Sequence, residues 1–148
     1  LASLKEFGGR LEATFGTDLA KDAKAEASNI RGNDAQYAAA RVNDGDRNTY
    51  WCSDDAQLTP ELVLELGKKA TFNVVSLREC LPLGLRVDDW ALDQWDGVAW
   101  KEFAKGTGIG SRRLWRGDDV STDKVRLRIA KAAACPAISE FALHLEAK

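Results

Sequence analysis

The chain has no methionine, one histidine, three prolines and three cysteines among its 148 residues. Without methionine it is not a complete primary translation product, and no charged-then-apolar leader opens it at Leu1, so a processed or excised piece of a longer protein is expected. Cys52, Cys80 and Cys135 are widely spaced, form no CxxC and have one histidine beside them, which excludes the usual zinc patterns. An odd cysteine count allows at most one internal disulfide and leaves pairing and redox compartment open. No apolar run approaches the ~20 residues that cross a bilayer. The net charge of -2 leaves no basic footprint for nucleic acid. Neither a membrane nor a nucleic acid is implied as a partner.

What is there suits one soluble domain with a tail. Leu1, Leu4, Phe7, Leu11 and Phe15 recur at roughly helical spacing, so residues 1–24 read as a short helical lead-in whose apolar stripe needs a neighbour. From residue 25 onward the pattern changes to short period-two runs between Gly, Asp, Asn and Pro. Leu62, Leu64 and Leu66 share one strand face; Val125, Leu127 and Ile129 share another, with Arg126 and Arg128 outward. Asp96-Gly97 between ALDQW and VAWKEFA predicts a tight hairpin with positive φ at both turn residues. The last stretch, ISEFALHLEA, predicts a closing strand with Phe141, Leu143 and Leu145 inward and Glu140, Ala142 and His144 outward, which makes His144 a surface residue with no adjacent nucleophile. About eight strands at this spacing predict an all-β domain, an antiparallel β-sandwich or jelly roll.

The stretch RVNDGDRNTYW, residues 41–51, gathers Asp44, Asp46 and Thr49 around Gly45, hard oxygen donors of the kind calcium selects. An EF-hand fails here, because counting from Asp44 puts Thr49 at the required glycine and Asp55 at the required glutamate. The same residues also suit a metal-free polar turn held by an Asx-type hydrogen bond.

Taken with ASNIRG at 27–32, LVLELG at 62–67, DGVAW at 96–100, KVRLRI at 124–129 and PAISEFAL at 136–143, this loop resembles the discoidin or coagulation factor 5/8 type C domain, and within it the family 32 carbohydrate-binding modules. LPLGLRV at 81–87 and KGTGIGSRRL at 105–114 look more narrowly like the C-terminal module of family 29 α-L-fucosidases, and LKEFGGRLEATFGTDLA like the segment that links it to the catalytic barrel. The resemblance implies a galactose-binding-like sandwich over 25–148 behind a helical linker over 1–24, in a secreted, periplasmic or cell-surface glycoside hydrolase. It implies a structural Ca2+ held by the carbonyl of Arg41, the Asp44 carboxylate, the carbonyl of Asp46, the carbonyl and hydroxyl of Thr49, the carbonyl of Ser139 and the Glu140 carboxylate. Two carboxylates then neutralise the dication and clip the front loop to the last strand.

The sugar-binding pattern of that family is kept only in part. Cys52 stands where a histidine would follow the Thr-x-Trp motif, Arg78 is present, Leu83 stands where an asparagine would be, and residues 131–135 hold no aromatic. In its place the chain offers Asp54, Asp55, Arg78, Glu79 and Arg86. Glu79, turned toward the apolar side by strand alternation, is expected to pair with Arg86, either bracing a loop or meeting a sugar. Trp51, Trp90 and Trp100 read as packing residues, Trp95 and Trp115 as exposed contacts for a ligand or another domain. No apolar set for lipid stands out at the loop tips, and no carboxylate pair is set apart for glycoside hydrolysis. The expectation is a non-catalytic module that holds a fucosidase-like enzyme near galactose- or fucose-containing glycans, or else a structural module packed on the catalytic barrel.

Overall fold

The computed structural model describes residues 17–147 except 22 and 47. Residues 1–16 of the helical lead-in expected over 1–24 lie outside them. Residues 19–21 form a turn rather than a helix, and the first strand opens at Lys24.

Seven strands follow: β1 (Lys24–Ala27), β2 (Trp51–Cys52), β3 (Glu61–Glu79), β4 (Val87–Trp95), β5 (Trp100–Thr107), β6 (Arg113–Ala132) and β7 (Ala137–His144). All pairings are antiparallel, in the order β2-β7-β3-β6-β4-β5 with β1 beside β3. The domain is the expected β-sandwich. Its two layers share β3 and β6, which are 19 and 20 residues long. The first half of β3 pairs with β1 and with the second half of β6, where Leu62 faces Leu127. Register shifts between Glu65 and Ala70 and between Phe72 and Val74 then bend both strands, and the second half of β3 pairs with β7 and the start of β6. Gly67, at a φ of 82°, sits at the first shift. The two layers enclose one core, with Leu62, Leu64, Leu92, Val125 and Leu127 on one side and Val75, Leu77, Ile138, Phe141 and Leu143 on the other.

Several expectations are corrected by this packing. His144 is not a surface residue: it is 4% exposed, while Leu145, placed inward by alternation, is 52% exposed and lies just past the strand. The segment before β1 covers the far face and edge of β7. Leu19 donates its N–H to the Leu143 carbonyl at 2.8 Å, Asp18 accepts the Leu143 N–H at 3.0 Å, and His144 Nδ1 lies 2.7 Å from the Thr17 carbonyl. The hairpin is present, but its loop runs over four residues from Trp95 to Trp100 and only Gly97 has positive φ. Asp96 Oδ1 accepts the N–H groups of Val98 and Ala99 instead, both at 2.8 Å.

Among the tryptophans, Trp51 and Trp90 are core, and the Trp90 indole lies across Gly106, where a Cβ would meet the ring at 2.5 Å. Trp100 is half-buried outside the core, stacked edge-on against Trp95 and beneath the Arg126 guanidinium at 4.6 Å. Trp115 is half-buried, 5.0 Å from Phe103 in the aromatic packing, so it is no free platform.

The outer face of the β4-β6 pair carries a buried carboxylate. Asp93 Oδ2 accepts from Arg126 Nε at 2.7 Å and Arg128 Nε at 2.6 Å, and Oδ1 from Arg128 Nη2 at 2.9 Å. Burial pushes the Asp93 carboxyl up, but the bonds from Arg128 and Arg126 more than reverse this and hold it below the usual carboxylate range. A carboxyl depressed in the folded state stabilises above its unfolded value near ~3.9 and loses that contribution as pH falls through the folded value. Asp93→Asn is therefore expected to cost about 2–3 kcal/mol at neutral pH and to flatten the loss of stability below about pH 4, as read by denaturant melts across pH.

Candidate functional site

At the end of β3 the chain passes from a strand into the 81–86 loop, and Glu79 marks the change. Alternation places its side chain inward, as expected, and it is 4% exposed. Its partner is not the Arg86 guanidinium. Glu79 Oε1 accepts the backbone N–H groups of Arg86 and Val87, and Oε2 that of Gly110, all at 2.8 Å. Three amide donors satisfy the buried charge and pin two loops, 81–86 and 108–112, against the strand end. The predicted ion pair is thus replaced by a main-chain clamp. The Arg86 guanidinium turns instead to the carbonyls of Cys135, at 2.9 Å, and Leu83, at 3.2 Å.

The clamp holds open two adjoining hollows. The larger, about 600 Å³, is lined by Tyr50, Arg78, Cys80, Leu81, Leu83 and Ser111 among others. The smaller, about 240 Å³, is lined by Arg31, Tyr37, Asp55, Arg86 and Cys135 and shares Tyr50 and Leu83 with the first. Tyr50 packs against Tyr37 with ring centroids 5.5 Å apart, and burial pushes its phenol up. In the sequence Tyr50 reads with Trp51 as one buried aromatic pair, and Tyr37 carries no reading. The available signal was alternation, since a buried Trp51 turns Tyr50 to the opposite side.

The predicted sugar cluster divides between these walls. Arg78 lines the larger hollow, with Nε 3.2 Å from Glu140 Oε2 and Nη1 donating to the Ser111 carbonyl at 3.3 Å. Asp55 lines the smaller and pairs with Arg31 Nη1 at 2.6 Å, a contact that holds its carboxyl below the usual range. Asp54 points away from both. It accepts the Gly32 N–H at 2.8 Å and Asn29 Nδ2 at 3.1 Å, and the Gly32 bond first of all lowers its pKa. The 81–85 loop also presents apolar side chains that the sequence reading did not pick out, with Leu81, Leu83 and Leu85 exposed by 48%, 37% and 70%.

The six residues expected to hold calcium are also divided. In the front loop the oxygens converge: the Thr49 hydroxyl donates to Asp44 Oδ2 and lies 3.1 Å from the Asp46 carbonyl. Asp44 Oδ1 accepts the Asp46 N–H at 2.9 Å, and Arg41 Nη1 sits 3.9 Å from Asp44 Oδ2. A carboxylate, a hydroxyl and a carbonyl in mutual contact fit a hard cation. Ser139 and Asn48 of the front loop both line the larger hollow. Glu140 is engaged elsewhere, accepting from Ser76 Oγ at 2.6 Å and Arg78 Nε at 3.2 Å, so its carboxylate must change partners to complete that shell. Among the described residues no three His, Cys, Asp or Glu side chains form a metal cluster. None of the helices described is long and apolar enough to cross a membrane.

No family model matches the chain. It is similar to α-L-fucosidase 1 of Arabidopsis thaliana, with 29% identity over 147 residues that cover 97% of this chain and 29% of that protein. Among solved structures it is similar to a Ruminococcus gnavus GH29 fucosidase in complex with fucose, at 28% identity and a TM-score of 0.89 over 99% of this chain and 30% of that one. A chitosan-binding module from a Paenibacillus sp. IK-5 chitosanase/glucanase shares the fold, with a TM-score of 0.75 at 21% identity, covering 86% of this chain and 98% of the module. The chain spans about 30% of the length of the fucosidases it matches. It corresponds to a small C-terminal part of those proteins.

The clamp gives a direct test. Glu79→Gln places an amide N–H₂ against backbone donors and is expected to cost about 3 kcal/mol. Amide hydrogen exchange is expected to speed up at Arg86, Val87 and Gly110 well before the β3-β6 core opens.

Proposed function

We propose that this chain is a calcium-stabilised carbohydrate-binding module of an α-L-fucosidase-like glycoside hydrolase, serving to hold the upstream catalytic domain near galactose- or fucose-containing glycans. The main support is that nearly its whole length aligns with part of fucosidases while the same sandwich occurs as a chitosan-binding module derived from a chitosanase/glucanase. The hollows beside Tyr50 add to it. A pyranose needs an apolar face to lie on and polar groups around its rim, and Tyr50, Leu83, Arg78 and Ser111 supply both kinds. Such an enzyme would work as a secreted, periplasmic or cell-surface protein. Calcium would be held by Arg41, Asp44, Asp46, Thr49, Ser139 and Glu140, with Glu140 giving up Arg78 and leaving that guanidinium to a sugar hydroxyl.

A second reading rests on the exposed leucines of the 81–85 loop. A structural module packed on the catalytic domain would cover Leu81, Leu83 and Leu85, an apolar set that costs solubility if left in water. It requires Leu85→Asp to lower the melting temperature of the longer enzyme while leaving sugar binding by this chain unchanged.

Titration calorimetry against galactose, fucose, N-acetylglucosamine and Lewis-type sugars tests the first reading. Binding with Kd about 1 mM, or about -4 kcal/mol, is expected for at least one of them, weakened about tenfold by Tyr50→Ala. No heat with any sugar rules it out. Calcium at about a hundred times its Kd is expected to stabilise the chain by about 2.7 kcal/mol, reversibly with chelator, and a thermal melt indifferent to both rules out the ion.

A further inference from the structure

The three cysteines, far apart in sequence, meet in one place. Cys52, Cys80, Cys135 and Ala137 form a small buried cluster of their own, packed under Tyr37 and Tyr50, and all three thiols are free. Their positions are not equivalent. Ala137 of β7 is paired with Cys52 of β2 on one side and accepts the Cys80 N–H at 3.0 Å on the other. Cys52 and Cys80 are thereby two strand spacings apart, roughly 9–10 Å, outside disulfide range. Cys135, two residues before Ala137, shares the lining of the smaller hollow with Cys52, whose own thiol donates to the Ser53 carbonyl at 3.4 Å. Cys135 stands just before β7, outside the strand ladder.

The surroundings of the two sulfurs differ in a useful way. Cys135 Sγ accepts from Arg86 Nη1 at 3.2 Å and Arg31 Nη1 at 3.7 Å, while its own S–H points at Asp55 Oδ1, 3.7 Å away. Two guanidinium groups in contact with this sulfur can balance negative charge as it attacks. Burial, and then Cys135 itself, push the Cys52 thiol up to about 11, so Cys52 stays protonated. Cys135 lines the 240 Å³ hollow, which admits a small oxidant.

We propose that Cys135 and Cys52 are the attacking and resolving thiols of an oxidation site that takes a hydroperoxide as its co-reactant, with Cys80 left out. In the first step the Cys135 sulfur bonds to the distal peroxide oxygen as the O–O bond breaks, and its proton goes to the departing oxygen. That gives a sulfenic acid, and for hydrogen peroxide the leaving hydroxide takes the proton as water. In the second step the Cys52 sulfur attacks Cys135, the S–S bond forms, the S–O bond breaks, and the Cys52 proton leaves with a second water. Two thiols lose two electrons and one peroxide gains them. The product ties the two-residue strand β2 to the approach of β7 and withdraws the sulfur from Arg86 and Arg31, which changes the wall of the smaller hollow.

The test is stoichiometric hydrogen peroxide on the folded chain, followed by alkylation under denaturing conditions and peptide mass mapping. Two of the three thiols are expected to be lost, in a linked Cys52–Cys135 peptide that dithiothreitol releases, with Cys80 alkylated throughout. Cys52→Ser is expected to stop at a Cys135 sulfenic acid trapped by dimedone, and Cys80→Ser to behave as the parent does. If a variant fails to fold, the map of the parent chain still decides. Three free thiols after peroxide, or a linkage that includes Cys80, overturns the proposal.

Discussion

The pairing of β3 with β6 is the constraint on which the rest of the domain depends. Each strand serves both layers, so one ladder fixes the two faces of the core at once, with Leu62 opposite Leu127 at one end and Val75 opposite Trp115 at the other. A slip of one residue would turn Leu62, Leu64, Val125 and Leu127 outward together, so the register cannot drift locally. β7 and β1 add to edges that this ladder already defines, and the loops at the end of β3 inherit their position from it.

The hollows beside Tyr50 follow from that inheritance. Glu79, the last residue of β3, carries the strand's geometry into two loops by accepting three of their amides. A guanidinium partner would have neutralised the charge but left the loop backbone unheld. The clamp leaves Arg78 and Arg86 to line the openings, and Cys52 and Cys135 line the smaller one as well.

Much of the fold was legible because period-two patterning reports one-sided burial directly. LVLEL, VRLRI and the hairpin around Asp96-Gly97 were all read correctly as elements. The length of β3 was not, because Gly67, Lys68 and Lys69 look like a boundary although the ladder runs past them with a register shift. His144 was misplaced because the segment that covers it lies more than a hundred residues earlier, and alternation carries no information about what packs on the second face. At the candidate site, the burial of Glu79 was legible while its partners were not, since backbone N–H donors leave no mark in a side-chain pattern. Tyr50 and Trp51 read as one buried pair, but the two rings pack on different clusters.

The central claim is that ligand recognition belongs to the hollows that the Glu79 clamp holds open. The most direct test is amide chemical-shift mapping of this chain during titration with fucose and with a galactose disaccharide. Shifts that grow with sugar and cluster on Tyr50, Arg78 to Leu83 and Ser111 are the predicted result. Shifts confined to the outer face of β4 and β6, or none at saturating sugar, would contradict the account.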